Sequence, residues 1–275
     1  MENNRRNIRT IVRLSKKMEH ASGRDSWTSP RKGAISNKMR LNRFLASAGF
    51  GSRRGCEELI RSGVVTVNGQ VCENLATQVT ESDSVKVKNK LVKSQEHFYV
   101  LLNKPKGYVC SAADEHNRKT VFDLVPKNWP RLFHVGRLDR DSQGLMILTN
   151  DGDLALRLTH PRFKIDKEYE VHLDLPFDQD KHGPKMLRGF MIEGGRAKLE
   201  SIFQLTPTRL KVVLRQGLKR QIRLMFYKMG YEVEALARVR IGQLTIKGVE
   251  EGKWRFLTKE ELRQLRGEKK AAPSA

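Results

Sequence analysis

Hydrophobic residues in the segment 40–95 recur first at helical and then at strand spacing. The residues that predict a first helix, three or four positions apart, are Leu41, Phe44, Leu45 and Ala48. Ser52 is a suitable N-cap for a second helix, which we expect to end at Gly63. The Asn-Gly pair at 68–69 predicts a tight turn between two strands, and residues 85–88 alternate as a further strand. The segment is therefore predicted to be an αα-βββ unit that is too small to be an enzyme by itself.

From residue 97 onward the pattern is mixed and mostly strand-like. The segments predicted as strands are 98–103, 133–135, 145–148, 169–173, 199–205, 210–214 and 231–241. The segments predicted as helices are 151–158, a stretch around 185–190, 218–229 and 259–264. Because strands and helices do not alternate regularly, the pattern favours an α+β domain and not a Rossmann-type fold.

The net charge points to a polyanionic partner. The chain of 275 residues carries 53 Lys and Arg against 31 Asp and Glu, a formal net charge of +22. Nucleic acid is the first partner to consider, and a basic protein of no particular affinity is the plain alternative. Residues 1–39 are polar and basic and are expected to be disordered or to fold only on RNA, and residues 268–275 are an expected disordered tail. The predicted domains are therefore 40–95 and 96–267.

The three cysteines, Cys56, Cys72 and Cys110, lie far apart and form no C-x-x-C pair. This spacing suits a reducing cytosol and argues against a thiolate zinc site. No apolar run approaches the length of a membrane span, and the N-terminus lacks the apolar region of a secretory signal. Its arginines would fit an organellar transit peptide, but acidic residues at positions 2, 19 and 25 argue against one. We therefore predict a cytoplasmic protein that does not associate with membranes.

Sequence motifs for cofactors and metals are missing. The chain has no G-x-x-x-x-G-K-[ST] phosphate loop, no dinucleotide fingerprint beside a strand and no G-x-S-x-G elbow. The seven histidines show neither H-x-H nor H-x-x-x-H spacing. An enzyme with this sequence is expected to use carboxylate, phenol or guanidinium chemistry, without a cofactor or a metal.

The polar loop 136–145, with the sequence GRLDRDSQGL, lies between two predicted strands. An aspartate in such a loop is most often a turn or cap residue. Asp139, however, stands between Arg137 and Arg140, and guanidinium neighbours keep a carboxylate ionised, nucleophilic and available to a nucleic-acid substrate. Asp139 is therefore the candidate catalytic residue.

This loop resembles the signature motif of the pseudouridine synthases of the RsuA/RluB/RluE/RluF type, in which G-R-L-D precedes a Ser or Thr, then Gly-Leu and an apolar strand. Two further segments resemble motifs of that family in the same order, K-x-Y-x-V at 167–171 and G-x-x-R-Q-I-R at 217–223. Residues 40–88 are similar to the S4 RNA-binding domain. The resemblance covers about residues 40–267. It implies the pseudouridine synthase fold, which is α+β with a mostly antiparallel mixed sheet, preceded by a small S4-like domain.

The resemblance implies roles for three catalytic residues. Asp139 would attack the target nucleoside, at the ribose or at the base, while the glycosidic bond breaks. Tyr169 would pack against the flipped uracil and assist proton removal at C5. Arg223 would pair with Asp139 and hold it ionised. Without the first motif, Tyr169 would be read as an ordinary strand aromatic and Arg223 as a solvated helix residue.

Arginines are expected to contact the RNA, which the resemblance implies is ribosomal RNA. Arg137 would extrude the target nucleotide or fill its vacated place, and Arg140 and Arg220 would bind the strand nearby. The arginines of the S4-like unit, either a phosphate-binding surface or a solvated charged face, are Arg43, Arg53, Arg54 and Arg61. Lys219 and Leu224 depart from the residues that are frequent in the family and put one RNA contact in doubt. A monomer is the expected oligomeric state.

Three classes of function stay under consideration. The first is an rRNA pseudouridine synthase, for which segment 159–169 favours 23S rRNA of the large subunit over 16S rRNA. The second is a non-catalytic S4-type RNA-binding or ribosome-assembly protein, which predicts loss of Asp139, Tyr169 or Arg223. The third is an S4-linked RNA methyltransferase, which requires a glycine-rich cofactor loop after a strand. The sequence shows neither that loss nor that loop.

Overall fold

A computed structural model of the protein describes residues 38–111 and 116–268. The predictions for residues 1–37 and for the tail from 269 onward lie outside this part of the chain. Within it, no helix combines the length and the apolar character that crossing a bilayer requires. The described residues pack around three buried clusters, one in the N-terminal unit up to Val92 and two in the larger unit that follows.

The N-terminal unit contains two helices and, among the described residues, six short strands. They are α1 (Leu41–Ser47), α2 (Arg53–Arg61), β1 (Met39–Arg40), β2 (Val65–Val67), β3 (Gln70–Val71), β4 (Gln78–Val79), β5 (Val85–Val87) and β6 (Lys90–Leu91). A four-stranded sheet runs in the order β3-β2-β5-β6, and β1 pairs with β4. The predicted helices and three strands are confirmed, but the strand count was too low. The strands β1, β4 and β6 are each two residues long, too short to show hydrophobic alternation.

Local signals in the N-terminal unit act as the sequence predicts. The Ser52 hydroxyl accepts a hydrogen bond of 3.0 Å from the backbone N–H of Gly55 and so caps α2. Asn68 and Gly69 have φ values of 53° and 87°, the left-handed conformation that a type I′ turn requires at both central positions. The helices and the sheet enclose a small core whose fully buried members are Leu41, Leu45, Cys56, Ile60, Val65 and Val79.

The larger unit is built on one sheet of nine strands. Its strands are β7 (Tyr99–Lys104), β8 (Phe133–Val135), β9 (Gln143–Thr149), β10 (Lys167–Leu173), β13 (Ser201–Gln204), β14 (Arg209–Leu214), β15 (Val233–Ile241), β16 (Leu244–Thr245) and β17 (Trp254–Phe256). The main path runs β13-β14-β10-β15-β9-β7-β17, and β16 and β8 pair with β15 and β9. Only the β9–β15 pair is parallel among these strands. The predicted α+β class with a mostly antiparallel mixed sheet is confirmed.

Among the described residues of the larger unit, four α-helices and a small hairpin accompany the sheet. They are α3 (Gly152–Thr159), α4 (Gln179–Arg188), α5 (Gln221–Tyr227), α6 (Lys259–Arg266) and the hairpin of β11 (Phe190–Ile192) with β12 (Gly195–Ala197). The Asp151 carboxylate accepts hydrogen bonds from two backbone N–H groups and caps α3, as predicted.

Two helix predictions were wrong in position. The helix expected around 185–190 begins earlier, at Gln179 after the cap Asp178, and Phe190 already belongs to a strand. The intervening Gly189, with a φ of 80°, ends the helix. The helix expected at 218–229 covers only Gln221–Tyr227, because Arg220 adopts a left-handed conformation with a φ of 53°.

Strand β9 lies at the centre of the larger unit and is buried on both faces. Met146 and Leu148 point into a core that also contains Tyr169. Leu145 and Ile147 point into a second core under α3 and α6. This double burial explains why residues 145–148 are continuously apolar.

Gly144 lets β15 approach β9 closely. A Cβ atom at this position would lie 2.3 Å from the carbonyl oxygen of Arg238, and Gly144 has a φ of 109°. Both observations exclude other residues without backbone movement. Because Gly144 follows the loop that contains Asp139, this contact brings that loop against β15.

Candidate active site

A cleft of about 680 Å³ opens beside the loop 136–142. Most of its walls come from that loop, the start of β10, the segment 214–222 before and into α5, and the middle of β15, and residues 109–110, 159 and 161 complete the lining. Asp139 and Tyr169 both line it. The structure therefore brings together the two residues predicted to carry the chemistry, although they lie in different elements.

The backbone of Asp139 is held by a buried lysine. The ammonium group of Lys104, at the end of β7, donates hydrogen bonds to the carbonyl oxygens of Pro105, Asp139 and Ser142 at 3.0, 3.1 and 2.6 Å. The side chain of Lys104 is fully buried, and this burial lowers its pKa. The three carbonyl groups solvate the cation and so fix the turn that carries Asp139.

Cys110 holds the same loop one residue earlier. Its thiol donates to the carbonyl oxygen of Leu138 at 3.2 Å, and the N–H of Leu138 lies 3.4 Å from the sulfur. Burial raises the pKa of this thiol. Cys110 is therefore a neutral packing residue, and with Lys104 it fixes the backbone on both sides of the Asp139 side chain.

Tyr169 forms part of the floor of the cleft. It lies in β10, between Val212 of β14 and Arg238 of β15 in the sheet register, and its side chain is only 8% exposed. The ring belongs to the apolar core beneath the cleft. A flat apolar surface of this kind is what a base needs for stacking once it has left the RNA helix.

Arg223 does not form the predicted ion pair with Asp139. Its Nε atom lies 3.2 Å from Oδ2 of Asp141, without hydrogen-bond geometry, and its Nη2 donates to the backbone carbonyl of Asp141 at 3.2 Å. Its Nη1 donates to the carbonyl of Val233 at 2.5 Å. Within residues 38–111 and 116–268, no ion pair joins Arg223 to Asp139. Burial lowers the pKa of Arg223, and Asp141 opposes this shift.

Asp141 is the acidic residue that the sequence analysis left without a role. Arg220 Nη1 lies 3.1 Å from its Oδ2, so Asp141 receives two guanidinium groups from the start of α5. Burial opposes ionisation, but Arg223 and Arg220 outweigh it and hold the pKa of Asp141 below its usual range. The ion pairs join the loop 136–142 to α5 across one wall of the cleft.

The arginines predicted to bind RNA fall into two groups. Arg137, Arg140 and Arg220 line the cleft and are exposed at its edge, and Arg220 also pairs with Asp141. Arg53, Arg54 and Arg61 are exposed on α2 and are not among the residues that line the cleft.

Arg43 has a different environment from the other arginines of the N-terminal unit. It forms an ion pair with Asp153 of α3 and so links α1 to the larger unit. The sequence predicted a phosphate contact at this position, and the structure shows a contact between the two units.

Two further cations in the cleft were not predicted. Lys167 lines its wall, and burial, reinforced by Arg238, lowers its pKa. Arg238 itself is a buried arginine in the middle of β15. The available signal for Arg238 was an arginine two positions after the buried Leu236, on the same face of a predicted strand. In the described part of the chain, no three His, Cys, Asp or Glu residues are placed to hold a metal ion.

Comparisons with known families match both units of the chain. The family model of RNA pseudouridylate synthase matches residues 98–228, and that of the S4 domain matches residues 39–85. A crystal structure of a pseudouridylate synthase is similar with a TM-score of 0.61 at 28% sequence identity, covering 82% of this chain and 99% of that chain.

Relatives with similar sequences span most of this chain. Ribosomal large subunit pseudouridine synthase B of Bacillus subtilis is 40% identical, over 82% of this chain and 95% of the relative. An uncharacterized RNA pseudouridine synthase of Aquifex aeolicus is 36% identical, over 83% and 96%. The dual-specificity RNA pseudouridine synthase RluF of Escherichia coli is 37% identical, over 83% and 79%.

Proposed function

We propose that this chain, which belongs to the family of RNA pseudouridine synthases, converts a uridine of ribosomal RNA to pseudouridine with Asp139 as its catalytic carboxylate. One observation carries the proposal. Asp139 and Tyr169 line one cleft whose edge bears Arg137 and Arg140. A carboxylate, a stacking surface and phosphate-binding groups are what a base-flipping isomerase needs in one place.

The target uridine must leave its helix before it can react. Flipping a base costs a few kcal/mol, which new contacts have to offset. We assign that role to the edge arginines Arg137, Arg140 and Arg220, which would bind phosphates or fill the vacated position. The cleft volume of about 680 Å³ is within the range of small-molecule sites and accommodates one extruded nucleoside.

The reaction is an isomerisation and needs no co-reactant. Asp139 attacks the nucleoside and forms a covalent bond to it, and the N1–C1′ bond breaks. The detached uracil then turns so that C5 bonds to C1′, and the bond to Asp139 breaks, which returns the free carboxylate. The hydrogen on C5 then leaves as a proton, and N1 takes up a proton. We place the Tyr169 phenol beside the base for this proton transfer.

Arg223 enters the proposal as a positioning residue. Its guanidinium holds Asp141, two residues after Asp139, and not the carboxylate of Asp139 itself. Because Lys104 and Cys110 fix the loop on the opposite side, Arg223 completes the support of the turn that presents Asp139. Such support holds a reacting group in its productive geometry.

Ribosomal RNA of the large subunit is the proposed substrate. The Bacillus subtilis relative is named as a large-subunit enzyme, and the Escherichia coli relative as one of dual specificity. The proposed domains divide the work: residues 40–95 bind RNA through the arginines of α2, and residues 96–267 perform the reaction. We propose that the protein acts on this RNA in the cytoplasm and as a monomer.

The decisive experiment maps pseudouridines in 23S and 16S rRNA from cells with and without the gene. We expect one or a few sites, in 23S rRNA, to lose modification and to regain it with the wild-type gene but not with Asp139→Asn. The purified D139N variant should bind the rRNA fragment with nearly wild-type affinity and form no product. If every pseudouridine persists in the deletion strain, the chain does not have this activity there.

A further inference from the structure

Arg238 is a buried cation inside the cleft. Its residue exposure is 2%, which is exceptional for an arginine, and it nevertheless lines the cleft with Asp139 and Tyr169. Arg238 lies in β15, which pairs with β10 on one side and with β9 on the other. It is thus fixed by the sheet, in contrast to the exposed arginines at the edge of the cleft.

The hydrogen bonds of Arg238 are incomplete. Nε donates to the carbonyl oxygen of Leu145 at 2.8 Å, which orients the guanidinium. Nη2 is buried and has no hydrogen-bond partner among the described residues. A buried donor on a cation is costly when no acceptor is present. The position therefore calls for an acceptor that comes with the substrate.

The surroundings of Arg238 require that acceptor to be electron-rich. Burial lowers the pKa of Lys104 and of Lys167, and the nearby charge of Arg238 adds to this effect at both lysines. Lys104 is already satisfied by three carbonyl groups. Among Lys104, Lys167 and Arg238, only Arg238 has a buried donor, Nη2, without a hydrogen-bond partner among the described residues.

Sheet register places Arg238 next to the stacking residue. Tyr169 of β10 and Arg238 of β15 are direct cross-strand partners, so their side chains leave the sheet on the same face. A base stacked on Tyr169 therefore lies beside the guanidinium. The RNA phosphates remain with the exposed arginines at the edge, because a buried group in the floor is reached by the base and not by the backbone.

We propose that Nη2 of Arg238 donates a hydrogen bond to a carbonyl oxygen of the uracil and stabilises the negative charge that the base acquires during the reaction. This inference rests on the proposed function. When the N1–C1′ bond breaks, its electron pair stays on the base and is delocalised from N1 to O2 and O4. If Asp139 adds to C6 of the base first, the charge develops on O4. In either route a carbonyl oxygen of the uracil becomes more basic. A preorganised donor in a water-poor site stabilises this charge and so lowers the activation free energy of the step.

The first test uses two substitutions at this position and one control. Arg238→Met keeps the unbranched stem and removes the donors, Arg238→Lys keeps the charge, and Arg240→Met removes an arginine from the same strand whose partner is Glu168. We expect R238M to lose roughly 100- to 1,000-fold in kcat, as for the loss of one oxyanion donor. Its KM should stay near the wild-type value, R238K should recover part of the rate, and R240M should stay near wild-type kcat. Circular dichroism and thermal melting establish that each variant is folded.

The second test locates the hydrogen bond with RNA that carries 2-thiouridine or 4-thiouridine at the target position. Sulfur is a weaker acceptor than oxygen, so the wild-type enzyme should lose rate with one of the two substitutions. R238M, which has no donor, should show no further loss with that same substrate, and R238K, which keeps a donor in a different geometry, should show a smaller loss than the wild-type enzyme. This non-additivity identifies the contacted oxygen as O2 or O4.

Several outcomes would overturn the inference. They are wild-type kcat in R238M, a rise in KM alone, or additive losses with both thio substrates. They differ from a failure of the proposed function, in which the wild-type enzyme itself forms no pseudouridine from the unmodified RNA.

Discussion

The ammonium group of Lys104 donates a hydrogen bond of 3.1 Å to the backbone carbonyl of Asp139. The same group binds the carbonyl of Ser142 at 2.6 Å and so closes the turn from both ends. A side chain from β7 thereby fixes a loop that lies more than thirty positions further along the chain. The candidate catalytic carboxylate is held through its own backbone, and its side chain stays free to face the cleft.

Replacing Lys104 by methionine should damage both the site and the fold. Lys104→Met leaves three carbonyl groups without their donor, and we expect a loss of about 1–3 kcal/mol in the free energy of unfolding. Activity should fall in addition, because the turn carrying Asp139 is released. Urea denaturation and single-turnover rates measure the two effects. The control is Lys106→Met, two residues away and exposed, which should change neither. Equal behaviour of the two variants would contradict this role of Lys104.

Arg223 and Asp141 should act as one unit. If Arg223 supports the loop through Asp141, then Asp141→Asn and Arg223→Met each lower kcat by roughly tenfold, and the double variant is no worse than the worse single variant. A double-mutant cycle on kcat measures this coupling, with KM followed in parallel. Should D141N keep the full rate while R223M loses it, Arg223 would act on Asp139 directly, as the family resemblance implied.

Gly144 should tolerate no side chain. Gly144→Ala places a Cβ atom 2.3 Å from the carbonyl oxygen of Arg238 and strains a backbone with a φ of 109°. We expect a loss of about 2 kcal/mol or more in the free energy of unfolding, or failure to fold. The matched control is Gly152→Ala at the start of α3, where nothing lies within 4 Å of the added Cβ. That variant should be neutral or up to about 1 kcal/mol more stable, because alanine is the better helix former. Similar melting temperatures for the two variants would argue against the close β9–β15 contact.

Glu261 joins α6 to Arg255 of β17, and we expect low pH to weaken this contact. Its carboxylate accepts two hydrogen bonds from Arg255, at 2.6 and 2.8 Å, and one from the N–H of Thr258. Arg255, followed by Thr258, holds the pKa of Glu261 below its usual range despite partial burial. Because the folded-state pKa is depressed, this stabilisation is present above the unfolded pKa of about 4.3 and is lost as the pH falls through the folded value.

Glu261→Gln should therefore lower the melting temperature at neutral pH, and the difference from wild type should shrink below about pH 4.3. The control is Glu260→Gln on the same helix, whose carboxylate is 47% exposed and pairs with Arg263 over one turn. A surface pair of this kind contributes little, about 0–1 kcal/mol. A melting difference for E261Q that is independent of pH would show that the ion pair is not its cause.

Much of this architecture is local and was therefore predictable. Ser52, Asp151 and the Asn-Gly turn at 68–69 act on backbone groups within three residues of themselves, so their effect is visible in the sequence. The helix around 185–190 was misplaced for a similar reason. Gly183 and Pro184 are poor helix formers and hid the first half of α4, whose position depends on packing against the core through Met186.

In the candidate site, too, the residues that could be predicted lie in local motifs, and those that could not have partners far away in the sequence. Three short motifs, each recognisable within a few consecutive residues, contain Asp139, Tyr169 and the exposed arginines at the edge of the cleft. Lys104 and Arg238 carry no such signal, because their partners are the carbonyl groups of Asp139 and Leu145, which lie 35 and 93 positions away. The pairing of Arg223 with Asp141 instead of Asp139 was likewise not readable, since it depends on where α5 meets the loop.

The sequence by itself determined the class of fold, the order of the motifs, the polyanionic partner and the identity of the candidate carboxylate. These follow from periodicity, charge and residues that are neighbours in the chain. Only the tertiary structure decided which side chains hold the backbone of that residue in place and which buried cation lines the cleft. Hydrogen bonds and ion pairs between strands and loops far apart in sequence depend on the register of the sheet, and the register is fixed when β9, β10 and β15 pack together.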